Sequence, residues 1–256
     1  MFPVIHIAGH VISMYKLMFF AGLASVPVFC FCLRKTFGFG KGKTAFISGF
    51  TLAFGYLSAM ITAWLENWLL GLASGGANTH LETIRNYGIP MFLPLFFLIY
   101  CIFFREPFRR ITDFIAPCVY SVMTFIKIGC TLWGCCYGEP DEHGIMNLDL
   151  GYRTFPVQVY DAISSFVIVL ICLVLIFTLR KKHEGWIYPI GGMLFALTKG
   201  FWESFRVHSS VWERNFLNTG FTFWQYWMLL LFIGCAVWLA LTVRKEKKGI
   251  PDFDKR

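Results

Sequence analysis

The sequence predicts an all-α integral membrane protein of about seven transmembrane helices, with its N-terminus outside and its C-terminus cytoplasmic. Three observations predict this. Of 256 residues, 57% are hydrophobic and only 15% are charged, where a soluble domain carries about 25% charged residues. The apolar residues gather into long runs, and about 20 residues at a 1.5 Å rise suffice to cross a bilayer. The cations sit in alternate loops between those runs, as the positive-inside rule requires. The net charge of +8 thus serves orientation and attraction to anionic lipid headgroups, and no nucleic-acid partner is expected.

In order, the runs cover residues 11–33, 45–70, 88–104, 111–136, 162–179, 186–205 and 223–243. The third is short, and Pro90 and Pro94 blur its start. No period of 20–50 residues repeats, which excludes a solenoid. Arg34, Lys35, Lys41 and Lys43 follow the first run, and Arg105, Arg109 and Arg110 the third. Arg180, Lys181 and Lys182 follow the fifth, and Arg244, Lys245, Lys247 and Lys248 the last. The alternate loops, 71–87, 137–161 and 206–222, carry few cations. Seven spans satisfy that parity; six or eight do not. Residues 1–243 therefore form one transmembrane domain, and 244–256 a charged cytoplasmic tail. No cleavable signal peptide is expected, because Met1–His10 lacks a basic n-region and the first run is long.

The stretch from Asp113 to Gly138 carries one cation, Lys127, inside an apolar run that ends in Gly134, Cys135, Cys136, Tyr137 and Gly138. A cation within a membrane helix marks a functional site by default, or else snorkels to an interface. Lys127 lies roughly 25 Å of helix beyond Arg110, which puts it near the outer headgroups. In the sixth run Lys199, Glu203 and Arg206 are spaced i, i+4, i+7 and share one helical face. Lys199 is roughly 20 Å of helix from Trp186, toward the same outer side. Lys199 and Glu203 also suit a plain intrahelical ion pair. Before the fifth run, Pro156 sets an extended or turn geometry, and Gln158 and Tyr160 bring polar tips to an interface. An ordinary aromatic belt explains Tyr160 as well.

Of nine cysteines, Cys30, Cys32, Cys101, Cys118, Cys172 and Cys235 fall inside apolar runs, as small buried residues do. Cys130, Cys135 and Cys136 cluster near one membrane face. No partner CxxC or paired histidine supplies a four-ligand zinc spacing, so no metal and no cofactor are expected. His6, His10, His80, His143, His183 and His208 form no H-E-x-x-H pattern, and no G-x-S-x-G elbow is present, which leaves no hydrolase triad.

Taken together, these residues resemble the prolipoprotein diacylglyceryl transferase family. Asp113-Phe114-Ile115-Ala116-Pro117 resembles the start of the family's core helix, and Gly129, Cys130, Gly134, Cys135, Cys136, Tyr137 and Gly138 continue in register. The stretch from Phe155 to Asp161 resembles its H/F-P-x-Q-L-Y-E segment, and Glu203 to Arg206 its E-x-F-R. Met14 to Met18, with Tyr15, resembles its W-Y-G-L-M, and Gln225 the glutamine that opens its last span. The resemblance implies transfer of a diacylglyceryl group from phosphatidylglycerol to the cysteine thiol of a prolipoprotein, whose signal peptide is a partner, in the bacterial plasma membrane. It implies catalytic roles for Lys127 and Lys199, and substrate binding by Tyr15, Glu203, Arg206, Gln158, Tyr160 and Gly138. The chain departs from the family in three respects. Lys127 and Lys199 stand where the family has arginine, Tyr87 to Leu93 lacks the family's histidine, and Gly55 to Trp64 lacks an arginine. Desolvation can turn a lysine into a base, so one lysine is expected to replace the histidine. Two rival readings are a binding protein for lipid or lipoprotein without the chemistry, and a thiol-based membrane protein built on Cys130, Cys135 and Cys136.

Overall fold

The structure, a computed structural model, describes residues 3–7, 10–73, 75, 84–180, 182–207, 215 and 219–247. His80, Lys181, His208, Lys248 and the rest of the tail lie outside the described residues, as do the side chains of His6 and His10. Seven helices are present among the described residues: α1 Met14–Phe37, α2 Lys41–Ala73, α3 Gly88–Phe104, α4 Phe108–Trp133, α5 Val157–Thr178, α6 Ile187–Glu203 and α7 Phe223–Lys247. The helices α1, α2, α4, α5 and α7 are long and apolar enough to cross a membrane. At 17 residues each, α3 and α6 are shorter, about 25 Å of helix.

The chain is not wholly helical. Strands β1 Val4–Ile7 and β2 His10–Ser13 pair antiparallel ahead of α1. Strands β3 Pro140–Asn147 and β4 Tyr152–Thr154 pair antiparallel between α4 and α5. The first hairpin is rich in β-branched residues, Val4, Ile5, Ile7, Val11 and Ile12, which suits a pleated strand. A long hydropathy window averages over such short elements. A second difference lies at α5, which begins at Val157, five residues ahead of the apolar run. Pro156 precedes the first helical residue, and its fixed φ suits a helix start. The polar residues Gln158 and Asp161 are thus in the first turns of a helix, not in a loop before it.

The bundle is built around α4. Every residue from Ile111 to Thr124 is buried, and α4 packs against α1, α3, α5 and α6. Outward, Phe20, Trp64, Trp68, Phe103, Phe177 and Leu229 are all more than half exposed. Exposure of so many large apolar side chains, spread over five helices, fits a lipid environment.

The two ends of the bundle differ. At one end the basic loops meet. Lys43 pairs with Glu106, and Arg110 donates to the Phe37 carbonyl. Arg180 lies 4.5 Å from the Phe37 ring centroid, and His183 approaches Glu246 at 3.2 Å. Here buried Asp113 of α4 accepts from the backbone N–H groups of Gly185, Ile187 and Tyr188 at 2.6, 3.0 and 3.1 Å. It thereby caps the start of α6. At the other end the chain leaving α4, the segment before α5 and the chain leaving α6 are stitched together. Gly138 donates its N–H to the Phe155 carbonyl at 2.9 Å, and Glu139 to the Phe205 carbonyl at 3.1 Å. A β-bridge joins Gly138 to Arg206.

Candidate active site

Three helices bring charge to one point at the stitched end. Lys127 comes from the last two turns of α4, Asp161 from the second turn of α5, and Lys199 and Glu203 from the end of α6. Asp161 Oδ2 lies 2.9 Å from Lys127 Nζ and 2.8 Å from Lys199 Nζ. Lys199 Nζ also lies 2.8 Å from Glu203 Oε2, and Arg206 Nη1 lies 3.4 Å from Glu203 Oε1. Arg206 Nη2 then reaches Cys136 Sγ at 3.2 Å. The chain of contacts runs Lys127, Asp161, Lys199, Glu203, Arg206, Cys136. Asp161, Lys199 and Glu203 are buried. Removing such charges from water is costly unless each has a partner, and here each has one.

The network holds three cations, Lys127, Lys199 and Arg206, against two carboxylates, Asp161 and Glu203. Its cations thus outnumber its carboxylates by one. All three cations line one cavity of about 390 Å³, within the range of small-ligand sites. Tyr15 of α1 lines it too. Glu203 lies behind the wall, joined to it through Lys199 and Arg206.

The remaining expected site residues lie off the cavity wall. Gln158 is buried in the first turn of α5. Tyr160 is exposed and stacks on Trp202, with ring centroids 4.6 Å apart, and on Phe155 at 5.3 Å. Gly138 sits in the stitched junction, where an added Cβ would come within 2.6 Å of the Phe205 carbonyl oxygen and 2.7 Å of that of Phe155. Only glycine lets those backbones approach, and that approach sets the position of Arg206.

Two wall residues, Arg85 and Asp161, lie outside the expected site set. Arg85, in the segment entering α3, lines the cavity, pairs with Glu66 at 2.9 Å and lies 4.7 Å from the Trp224 ring centroid. It supplies an arginine near the segment that lacks the family histidine. Asp161 ends the stretch beginning Phe155-Pro156, yet its position between two lysines depends on how three helices meet.

Cys130 is buried near the end of α4, and Cys135 and Cys136 follow in the turn beyond it, all three on the cavity wall. Hydrogen bonds from the Cys130 and Cys135 thiols, with the Arg206 and Lys127 charges nearby, hold the Cys136 thiol well below the usual thiol range, against the opposing effect of burial.

Fold and site together define a helical membrane protein with a cationic cavity at one end of its bundle. The chain belongs to the prolipoprotein diacylglyceryl transferase family, whose model matches residues 3–241. This is a transferase family of lipoprotein biosynthesis, acting on lipoprotein precursors in the membrane. A search among curated proteins finds no match.

Proposed function

We propose that this protein transfers a diacylglyceryl group from phosphatidylglycerol to the cysteine thiol of a prolipoprotein, at the outer leaflet of a bacterial plasma membrane. In this reading all seven helices span or line the bilayer, with the N-terminus outside. The observation that carries the proposal is the convergence of Lys127, Lys199 and Arg206 on one cavity wall. The thiolate attacks the glyceryl carbon that bears the phosphate. A C–S bond forms, the C–O bond breaks, and glycerol phosphate leaves with the electron pair. Cations aimed at the departing phosphate stabilise the charge that develops there. A cavity of about 390 Å³ suits a phospholipid headgroup, and the acyl chains extend into the surrounding bilayer.

Both lysines touch one carboxylate, at 2.9 and 2.8 Å. That favours ammonium donors serving the phosphate over a lysine base, and it leaves Asp161, the carboxylate on the cavity wall, to accept the thiol proton. The two roles separate cleanly. An arginine keeps the cation but cannot act as a base. In a reconstituted assay with phosphatidylglycerol and a precursor peptide, read by mass spectrometry, Lys127→Arg and Lys199→Arg are expected to stay active. Lys127→Met and Lys199→Met should each lose about 100-fold or more, the usual cost of removing one stabilising donor. Wild-type rates in both Met variants would discard the proposed role. A second reading, a lipid-binding protein without the chemistry, is favoured by the carboxylates that already occupy both lysines. It predicts tight phospholipid binding with no product at all.

A further inference from the structure

The sulfurs of Cys130, Cys135 and Cys136 all lie within 4.8 Å of one another. Sequence neighbours do not ordinarily converge in this way, since successive side chains of an extended segment point to opposite sides. Here Gly134 has φ 94° and Cys136 φ 60°. These two left-handed residues turn the chain back on the end of α4, so that both following sulfurs face Cys130. A non-glycine residue at positive φ is strained and persists only where its surroundings impose it. The surroundings do so here. The buried Asn147 side chain donates to the Gly134 carbonyl at 3.0 Å, and the bonds of Gly138 and Glu139 to Phe155 and Phe205 fix the far side of the turn. The contrast within the chain is informative. Cys30 and Cys118 also approach, at 3.7 Å, but in a closed helix interface and as a pair only.

We propose that these three sulfurs form a binding site for one thiophilic metal ion, of which zinc is the representative. At a metal–sulfur distance of about 2.3 Å, three thiolates around one tetrahedral ion stand about 3.8 Å apart, so the sulfurs need close by about an ångström at most. All three line the cavity, which leaves the remaining coordination position open toward it for water or a ligand. Three thiolates with a divalent ion carry one net negative charge. Arg206, 3.2 Å from Cys136 Sγ, then faces an anionic unit and donates to a ligating sulfur, the usual outer-shell arrangement. The C-x4-C-C spacing matches no linear zinc motif, because the site is made by the left-handed turn and not by two separate CxxC knuckles.

The test uses the full chain in detergent, purified with reductant, stripped of metal and titrated with zinc. One zinc per chain is expected. Zinc should protect Cys130, Cys135 and Cys136, and not Cys32, from alkylation, as read by peptide mass spectrometry on the unmutated protein. Cobalt should give thiolate-to-metal charge-transfer absorption. Cys130→Ser, Cys135→Ser and Cys136→Ser should each weaken zinc binding at least tenfold, while Cys172→Ser should not. The proposal is overturned by alkylation of the three sulfurs that zinc does not change. It is equally overturned by zinc retained in the triple serine variant, an adventitious ion only, or by a disulfide from Cys130 to Cys135 or Cys136 in protein purified with zinc present. No readout depends on diacylglyceryl transfer, so the metal site and the proposed reaction stand or fall separately.

Discussion

Asp113 and Asp161 are both buried carboxylates in apolar helices, and they do different work. Asp113 sits at the basic end and satisfies three backbone donors at the start of α6. Nothing about it points into the cavity. Replacing it by alanine strands those donors, and hydrogen bonds to a charged group are worth roughly 1.5–3 kcal/mol. Asp113→Ala is therefore expected to lower unfolding stability in detergent by at least about that amount, since three such bonds are lost, while phospholipid binding at the cavity survives. Loss of binding at full stability would reverse the assignment. Asp161 instead lies between two lysines. The sequence alone does not separate the two, since each reads as one acid at the margin of an apolar run. Lys127, Lys199, Glu203 and Arg206 were legible because helix period and depth in the membrane place cations without reference to any neighbour. Arg85 was not, because its role comes from Glu66 and Trp224, residues far from it in sequence.

At the scale of elements, α6 carries the site only if it lies close to α4 and α7. Its Gly191 and Gly192 allow that. A Cβ at Gly191 would come within 2.6 Å of the Tyr120 ring, and one at Gly192 would strike Cys235 Sγ. Small residues at a membrane helix interface let backbones approach in this way. Overpacking a well-packed contact costs about 1–3 kcal/mol, so Gly192→Ala is expected to destabilise by that order. Cys235→Ala removes the colliding sulfur and should recover part of the loss. A double-mutant cycle on unfolding in detergent measures the coupling, and strictly additive effects would place α6 and α7 farther apart than they are here. Helix existence was read correctly along the chain because long apolar runs admit few alternatives in a bilayer. The hairpins and the early start of α5 were not, since they follow from short-range backbone pairing and from Pro156, to which a wide hydropathy window is blind.

For the whole molecule, the charge pattern and the tertiary contacts bear on the same question from different sides. The loops rich in cations are far apart in sequence, and their assignment to one membrane face rests on parity alone. The fold joins them physically. Lys43 meets Glu106, Arg110 and Arg180 meet Phe37, and His183 meets Glu246, which ties the α1–α2, α3–α4 and α5–α6 connections and the end of α7 into one basic end. The cavity and the β3–β4 hairpin belong to the opposite end. If the basic end is cytoplasmic, the cavity opens at the outer leaflet, where an exported precursor can reach it, and the chain's last residues are inside. A fluorescent protein that matures only in the cytoplasm, fused after Arg256, should then be bright. Alkaline phosphatase, which needs export to become active, should be silent at the same point. The reverse pair of results would turn the molecule over, set the cavity on the cytoplasmic side, and remove the precursor from its reach even with every contact in the charge network intact.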